Sequence, residues 1–322
     1  MKISLFTKAM LLVTLLTVPA AAQEWPTKPV RLVAPFAAGG ASDILGRMIA
    51  ERLTKVLGQQ FFIDNRGGAA GMIGSAAVAA AEPDGYTLLV SGNASHVIAP
   101  AFYGNATYSG VTSFTHIAYL GGIPAGLLVH SSLNVSNYAE FLAWAKAENK
   151  PIDYVTSGTA TYGYLFGTEL GRKERLTLNH IPYKGAGPAM LDLVAGHVRV
   201  ATISFSTGAE HVRSGTLRAL GVSSDKRLRD FPDVPTFKEL GHEDMTSGSW
   251  FAISGPANLP APIVAKLSQE TRKILQDPEI QQRLEKDGFE IRDMSVGEIQ
   301  KFFISETERW APIAKALSVS AK

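Results

Sequence analysis

The stretch VRLVAPFAAGGASD, residues 30–43, decides the fold class because it joins a strand to a helix through a glycine-rich loop. Residues 30–34 are mostly apolar and branched, which is typical of a buried strand. Beyond the loop, apolar residues recur at helical spacing, namely Leu45, Met48, Ile49, Leu53 and Val56. We predict that Ser42 or Asp43 caps this helix and that Gly58 ends it.

The same order of strand, loop and helix recurs along the rest of the chain. Further strands are predicted at residues 61–63, 86–90, 117–120, 126–129, 152–155, 198–203, 217–222 and 250–254. Helices are predicted at residues 75–81, 138–146, 163–170, 188–195, 261–275, 278–287 and 296–317. Strands that alternate with helices favour an α/β fold built on parallel sheets.

Two α/β lobes are predicted, because about 300 residues exceed the length of one typical domain. Two strands, near residues 117–129 and 250–254, are expected to cross between the lobes and form a hinge. We predict that residues 23–124 and 253–322 form lobe 1 and that residues 125–252 form lobe 2. Ligands of such sheets bind beside the carboxyl ends of the strands, so we expect a ligand in the cleft between the lobes.

The first 22 residues have the composition of a secretory signal peptide. Lys2 and Lys8 supply positive charge, residues 10–18 form a short apolar run, and Ala20 to Ala22 supply small residues before a cleavage site. The apolar run is shorter than the about 20 residues that span a bilayer, which disfavours the alternative of a membrane anchor. The chain has no cysteine, so it has no disulfide and no lipid-modified cysteine. We predict a periplasmic protein that is cleaved after Ala22.

The charges of the chain are balanced. It holds 31 lysine and arginine residues against 29 aspartate and glutamate residues, and loss of the segment with Lys2 and Lys8 leaves 29 of each. Proteins that bind nucleic acid usually carry a clustered basic excess. The balance therefore favours a protein without a nucleic-acid partner.

Two loops of small residues are the main candidate binding elements. The lobe-1 loop, residues 36–43, supplies Phe36, Gly39, Gly40, Ala41, Ser42 and Asp43, and the lobe-2 loop, residues 157–161, supplies Ser157, Gly158, Thr159, Ala160 and Thr161. Small residues let the backbone approach a ligand, and free N–H groups at a helix start attract an anion. We expect one loop from each lobe to hold one carboxylate. The alternative is that both are ordinary tight turns and that Asp43 only caps its helix.

Two further loops offer candidate ligand contacts. Residues 182–188 contain Tyr183, which can donate a hydrogen bond or stack, and Lys184, which can pair with a carboxylate. The alternative for Lys184 is an ordinary solvated lysine. Residues 91–96 follow a predicted strand and contain Asn93 and His96. We include Asn93 among the candidate ligand contacts, whereas His96 fits a structural cap equally well.

The sequence motifs of several enzyme classes are missing. The chain has no G-x-S-x-G elbow, no H-E-x-x-H pair and no G-x-x-x-x-G-K-[ST] loop. We therefore predict a binding protein and not an enzyme. One alternative is a periplasmic hydrolase of a small acid, with Ser157 or Ser42 as nucleophile and His96 or His180 as base, because triad residues need not be neighbours in sequence. Another is a ligand sensor that passes its closed form to a signalling partner.

Several stretches, taken in order, resemble the substrate-binding receptors of tripartite tricarboxylate transporters, also called Bug receptors. They are WP and KP within residues 25–29, PF, GG and D within 35–43, DNR at 64–66, PDGY at 83–86, PYKG at 182–185, G-x-LRAL at 215–220, PDVPT at 232–236, W at 250 and ERW at 308–310. The resemblance covers nearly the whole chain after residue 22. It implies a two-lobed, type II periplasmic binding protein fold with two crossing strands at the hinge.

The resemblance also implies the ligand, the partner and the site. The ligand is expected to be a small carboxylate, held by the lobe-1 and lobe-2 loops and delivered to the membrane permease of a tripartite tricarboxylate transporter. No metal and no cofactor are implied, and a monomer is expected for a receptor that diffuses between ligand and permease.

The sequence departs from the family pattern near the far end of the expected pocket. Ala37 and Ala38 replace common prolines, Ala160 stands where a second glycine is usual, and Tyr164 stands where a histidine is usual. Residues 202–207 lack an acidic residue that many members carry. The carboxylate clamp is expected to survive because it uses backbone groups. The tyrosine and the smaller number of charges favour a monocarboxylate or an aromatic acid over a tricarboxylate.

Overall fold

The computed structural model describes residues 25–320, and the predicted signal peptide and its cleavage site lie outside this range. The strands are β1 (Val30–Ala34), β2 (Phe61–Asn65), β3 (Thr87–Gly92), β4 (Phe114–His130), β5 (Ile152–Thr156), β6 (Leu178–Pro182), β7 (Val200–Ser204), β8 (Leu217–Val222) and β9 (Gly248–Pro256). The helices are α1 (Ala41–Leu57), α2 (Met72–Ala79), α3 (Ala99–Tyr103), α4 (Tyr138–Ala147), α5 (Tyr162–Glu174), α6 (Ala186–Val194), α7 (Phe205–Arg213), α8 (Ala261–Gln276), α9 (Pro278–Lys286) and α10 (Val296–Ser320).

Two groups of parallel strands are joined through a long antiparallel strand. In the first group β1 lies between β2 and β3, and β3 pairs with β9. In the second group β5 lies between β6 and β7. The first part of β4 pairs with β9, and its last part pairs with β7 and β8. The chain is thus a two-lobed α/β protein, with β1–β3 in lobe 1 and β5–β8 in lobe 2; the residue boundaries between the lobes stay a prediction.

Helix α1 shows how the sequence builds the edge of lobe 1. It begins at Ala41 with Gly40 as N-cap, so the prediction that Ser42 or Asp43 caps this helix is wrong. Gly40 takes the extended conformation of an N-cap without any side-chain cap, and the helix therefore starts before the polar residues. Gly58 ends the helix as predicted, with a φ of 70° that glycine adopts without strain.

Two other predicted segments differ in the structure. The strands predicted at residues 117–120 and 126–129 are one 17-residue strand, β4, because pairing with β9 carries it across Gly121, Gly122 and Pro124. The predicted loop at residues 91–96 is only partly a loop. Strand β3 continues to Gly92, and helical turns cover residues 94–98 and lead into α3.

The C-terminal helices return to lobe 1. Helix α10 packs against α3 and β4, and the carboxylate of Glu306 accepts hydrogen bonds from the indole N–H groups of Trp250 (2.7 Å) and Trp310 (3.1 Å). The Trp310 ring also meets the Tyr162 ring of lobe 2 edge-on, with centroids 5.6 Å apart. These contacts tie α10 to the hinge. No helix within residues 25–320 is both long enough and apolar enough to cross a bilayer.

A candidate anion-binding cleft

The carboxyl ends of strands from both lobes surround a small cleft, which we call the inner chamber. It encloses about 40 Å³ and is lined by Pro35, Phe36, Gly40, Ala41, Ser42, Val90, Gly92, Asn93, Ala94, Ser157, Thr161, Gly163, Ala186, Ser204, Ser249 and Phe251. These residues follow or end β1, β3, β5 and β7, or lie at the starts of helices and on β9. The position is therefore the one that open α/β sheets use for ligands.

Four helices begin at the inner chamber. Its lining includes the first residues of α1 and α6, the N-cap Thr161 and the second residue Gly163 of α5, and Ser204, the N-cap of α7. The first N–H groups of a helix lack partners within it, and the aligned peptide dipoles make this end of the helix positive. None of the lining residues has an ionisable side chain. The chamber thus offers helix-start N–H groups of the kind that hold phosphate and carboxylate groups in proteins, without any charged side chain.

A charged network holds the lobe-1 loop from behind. The carboxylate of Asp43 accepts hydrogen bonds from the Gly39 N–H, from Arg47 and from Asn65, each at 3.0 Å. The Asn65 side chain also donates to the carbonyl of Phe36 at 3.1 Å. Burial raises the pKa of Asp43, but the hydrogen bonds from Arg47, Gly39 and Asn65 outweigh it and hold the pKa below its ordinary value. Asp43 is therefore ionised and fully engaged within the loop.

Neutral hydroxyl groups hold the lobe-2 loop. The Thr156 hydroxyl accepts from the Gly158 N–H at 3.0 Å, and the Thr161 hydroxyl donates to the Gly158 carbonyl at 2.7 Å. Thr161 is also the N-cap of α5 and accepts from the Tyr164 N–H. Between them, Ala160 lies at a φ of 61°, a left-handed conformation that favours glycine. The lobe-2 loop is therefore tight, and it is held without any charged group.

A second space, the outer chamber, adjoins the inner chamber at Phe36 and Ser157. It encloses about 200 Å³ and is lined by Phe36, Gly68, Ala69, Ala70, Tyr103, Ser157, Gly158, Thr159, Pro182, Tyr183 and Lys184. The Tyr183 hydroxyl donates to the carboxylate of Asp192, which fixes the ring. Lys184 is exposed. The outer chamber therefore has a cation at its wall, whereas the inner chamber does not.

The structure brings most of the predicted site residues together. Seven line the inner chamber, namely Phe36, Gly40, Ala41, Ser42, Asn93, Ser157 and Thr161. Four more line the outer chamber, namely Gly158, Thr159, Tyr183 and Lys184. Gly39, Asp43 and Ala160 line neither chamber, and they shape the loops instead.

Sequence reasoning missed Ser204 and Ser249, which also line the inner chamber. Ser204 ends strand β7, so the rule that ligands bind at the carboxyl ends of strands was sufficient to find it. Ser249 lies near the start of β9, and its place depends on the pairing of β9 with β4 at the hinge. No local pattern in the sequence marks that pairing.

The lobe-1 loop contacts the opposite lobe directly. The Ala37 N–H donates to the Lys184 carbonyl at 3.2 Å. Gly187, in the first turn of α6, packs so closely that a Cβ placed on it would lie 2.0 Å from the Ala38 carbonyl oxygen. The cleft is therefore closed, and the closed arrangement depends on a residue without a side chain.

The histidines do not support a hydrolytic site. Within the described residues, His96 hydrogen-bonds through its ring to Ser95 and His180 to Thr156, and neither contacts Ser42 or Ser157. Burial lowers the pKa of His180 to about 4, and burial together with the neighbouring His116 lowers that of His96 well below its ordinary value. A base must lie within hydrogen-bond reach of its nucleophile. These imidazoles serve the packing of their lobes.

The chain matches one known protein family and several relatives over most of its length. Residues 45–319 match the family described as tripartite tricarboxylate transporter family receptor. A protein encoded in the TAR-I ttuE-ttuC' intergenic region of Agrobacterium vitis is 33% identical over 323 residues, which cover 99% of this chain and 92% of the relative. BugT of Bordetella pertussis is 28% identical over 305 residues, covering 94% of each chain.

Solved structures share the whole fold. The periplasmic binding protein BugD superposes with a TM-score of 0.86 at 32% identity, covering 91% of this chain and 98% of BugD. MatC from Rhodopseudomonas palustris, solved with bound malate, has a TM-score of 0.84 at 28% identity and covers 90% of this chain and 99% of its own. Another R. palustris protein, solved with adipate, has a TM-score of 0.86 at 30% identity, with coverage of 90% and 97%.

Proposed function

Because the chain belongs to the receptor family of tripartite tricarboxylate transporters, the Bug receptors, we propose that it captures a small organic carboxylate between its lobes and delivers it to a permease of that transporter class. The protein is a periplasmic solute-binding receptor and not an enzyme. The observation that carries the choice of ligand class is the set of four helix starts around a chamber without ionisable side chains. Relatives solved with malate and adipate support the same class.

The carboxylate is held by groups from both lobes. Lobe 1 offers the N–H groups at the start of α1, at Ala41 and Ser42, which precede any intrahelical partner. Lobe 2 offers the start of α5 and the Ser157 hydroxyl. Charge-assisted hydrogen bonds of this kind are about twice as strong as neutral ones. An uncharged amide of the same shape lacks this advantage and binds more weakly.

Capture follows from closure. A ligand that touches both lobes binds the closed form more tightly than the open one and shifts the population toward it. In the closed form the lobe-1 loop rests on residues 184–187 of lobe 2. Strand β4 runs through both groups of strands and serves as the hinge. Export to the periplasm removes residues 1–22. There the receptor closes on its ligand, and the permease recognises the closed form.

A thermal-shift screen of the protein purified from the periplasm tests this proposal. The probes are small carboxylic acids and the matching amides, with mass spectrometry of the recovered compounds. A ligand that binds the folded state raises the melting temperature by mass action. We expect acids to raise it, amides to leave it unchanged, and the acids to be recovered intact. If only uncharged compounds raise the melting temperature, the anion-binding role of the inner chamber is wrong; turnover of a bound acid would favour the hydrolase alternative.

A further inference from the structure

The inner chamber offers no cation for a second carboxylate. All sixteen lining residues are uncharged, and Lys184 lines the outer chamber beyond Phe36 and Ser157. The N–H groups at the helix starts can bind one carboxylate of the ligand. A second carboxylate buried there without a basic partner loses its hydration with little in return. The charge of the wall therefore favours a ligand that places a single carboxylate in the inner chamber.

The rest of the inner wall carries hydroxyl groups that have no protein partner. The side chains of Ser42, Ser157, Ser204 and Ser249 come from four separate elements and converge on the chamber. Their hydroxyls make no hydrogen bond to any residue between 25 and 320. Each hydroxyl can both donate and accept. The wall therefore matches a ligand that carries polar groups as well as its carboxylate.

Asn93 adds an acceptor of fixed orientation. Its side chain is 1% exposed and lines the chamber. The Nδ2 group donates to the Gly248 carbonyl at 3.0 Å. Because that carbonyl needs a donor, the amide cannot turn over, and Oδ1 is left as an acceptor without a partner among the described residues. A ligand hydroxyl can donate to Oδ1, whereas an ionised carboxylate has no proton to donate and is repelled.

The inner chamber is small, at about 40 Å³, and it opens at Phe36 and Ser157 onto the outer chamber. We propose that the ligand is a short hydroxylated monocarboxylate, with its carboxylate at the helix starts and a hydroxyl on Asn93. This inference rests on the proposed carboxylate receptor and narrows its ligand class. It favours the monocarboxylate over the aromatic acid, since the inner wall presents hydroxyl and amide groups that an aromatic ring leaves unpaired.

Calorimetric titration with four related acids tests the proposal on the protein purified from the periplasm. The four acids are propionate, lactate, succinate and malate. Lactate is propionate with an added hydroxyl, and succinate and malate are propionate and lactate with a second carboxylate. We expect lactate to bind about tenfold tighter than propionate, because an Asn93 Oδ1 left unpaired by propionate is costly. We also expect malate to bind about tenfold weaker than lactate, because its second carboxylate finds no cation in the inner chamber. The shorter acid glycolate and the longer 3-hydroxybutyrate bracket the chain length.

Each outcome decides between the inference and the function on which it rests. Malate or succinate binding as tightly as lactate overturns the inference, and so does propionate binding as tightly as lactate. Binding of adipate or benzoate, with none of the short acids, also overturns it but leaves the carboxylate receptor standing. Failure of every carboxylate rejects the proposed function itself.

A variant then locates the hydroxyl. Asn93→Ala should reduce the ratio of lactate to propionate affinity to near one, because both acids lose the same packing and only lactate loses the acceptor. Using the ratio keeps the test valid if the variant is less stable. A ratio that stays at the wild-type value assigns the hydroxyl to another part of the wall and overturns the role of Asn93.

Discussion

The lobe-1 and lobe-2 loops occupy equivalent places, since each follows a parallel strand and leads into a helix at the inner chamber, yet they are held by different chemistry. The lobe-1 loop depends on the buried carboxylate of Asp43. The lobe-2 loop depends on the hydroxyls of Thr156 and Thr161. The place of each loop is therefore set by the sheet edge and the helix start, whereas the groups that hold the loop differ between the lobes. The two loops should therefore differ in their responses to substitution and to pH.

Substitution of Asp43 should have the largest effect, because it removes the charged centre of the lobe-1 loop. Asp43→Ala leaves the Gly39 N–H without its acceptor and the Asn65 amide without one of its two acceptors, and we expect a loss of about 3 kcal/mol in the free energy of unfolding. Ligand affinity should fall with it, because Gly39 loses its anchor and Asn65, which holds the Phe36 carbonyl, loses the partner that orients it. Urea unfolding and calorimetry measure the two effects.

Arg47→Ala is the matched control. Arg47 binds the same carboxylate, but its side chain is 55% exposed, so its loss should cost under about 1 kcal/mol. Equal effects of the two variants would show that the ion pair, and not the bond to the loop backbone, stabilises the lobe-1 loop. Unchanged affinity in Asp43→Ala would mean that Asp43 has no part in shaping the site.

Gly187→Ala tests the contact between the lobe-1 loop and the opposite lobe. The new Cβ would lie 2.0 Å from the Ala38 carbonyl oxygen, so the lobes cannot reach the closed arrangement without a shift. We expect about a thirtyfold loss of ligand affinity, equivalent to about 2 kcal/mol. Helix propensity alone favours alanine over glycine, so a loss of affinity without a loss of stability identifies a defect in closure.

Gly297→Ala supplies the control for Gly187→Ala. Gly297 lies in α10, and a Cβ placed there meets nothing within 4 Å. Small-angle scattering of both variants at saturating ligand should show a larger radius of gyration for Gly187→Ala only. A compact, tightly binding Gly187→Ala would contradict closure through residues 184–187.

The two loops should lose stability in different pH ranges. His180 hydrogen-bonds to Thr156 beneath the lobe-2 loop, and burial lowers its pKa to about 4 in the folded protein. Because the unfolded state binds the proton near pH 6.5, stability is full above that pH and is lost as the pH falls toward 4. Asp43 has a lowered pKa, so its contribution remains until the pH falls below about 4.

Urea unfolding of His180→Gln at pH 7 and at pH 5 measures this difference. We expect the wild type to lose about 1 kcal/mol more than the variant over this interval, after allowance for the partial exposure of the ring. His96 and His116 are present in both proteins, so their titration cancels. Asp43→Ala should keep the wild-type slope between these pH values; a changed slope would contradict the assignment of acid sensitivity in this range to lobe 2.

Local sequence patterns predicted much of the scaffold, and the reason is visible in single elements. Strand β8 and the end of α1 at Gly58 were predicted at their observed positions, because a run of apolar residues and a left-handed glycine are local signals. Strand β4 was predicted as two strands, since Gly121, Gly122 and Pro124 interrupt the pattern. Only the pairing with β9 makes it continuous, and that pairing joins residues more than a hundred positions apart.

In the binding site, too, features with a local sequence signal were predicted, and features that depend on distant contacts were not. The lobe-1 and lobe-2 loops were predicted from glycines and hydroxyls after a strand, and eleven of the fourteen predicted residues line one of the chambers. Ser249 and the close approach of Gly187 to Ala38 were not predicted. Both depend on how the lobes meet, and the sequence near each residue contains no information on that. The binding role of all these residues stays a prediction that the experiments above test.

Ala160 should show the smallest effect and the clearest contrast with an ordinary alanine. Its φ of 61° costs an L-residue about 1–2 kcal/mol, which glycine avoids. Ala160→Gly relieves this strain, but it also removes a buried methyl group and frees the unfolded chain, which together cost a similar amount. We expect a change in unfolding free energy within about 0.5 kcal/mol, measured by urea unfolding. Ala143→Gly, at an exposed position in α4, should cost about 1 kcal/mol because no strain is relieved there. If Ala160→Gly costs as much as Ala143→Gly, the packing of the methyl group outweighs the backbone strain, and the lobe-2 loop gains stability from the alanine that stands in place of a glycine.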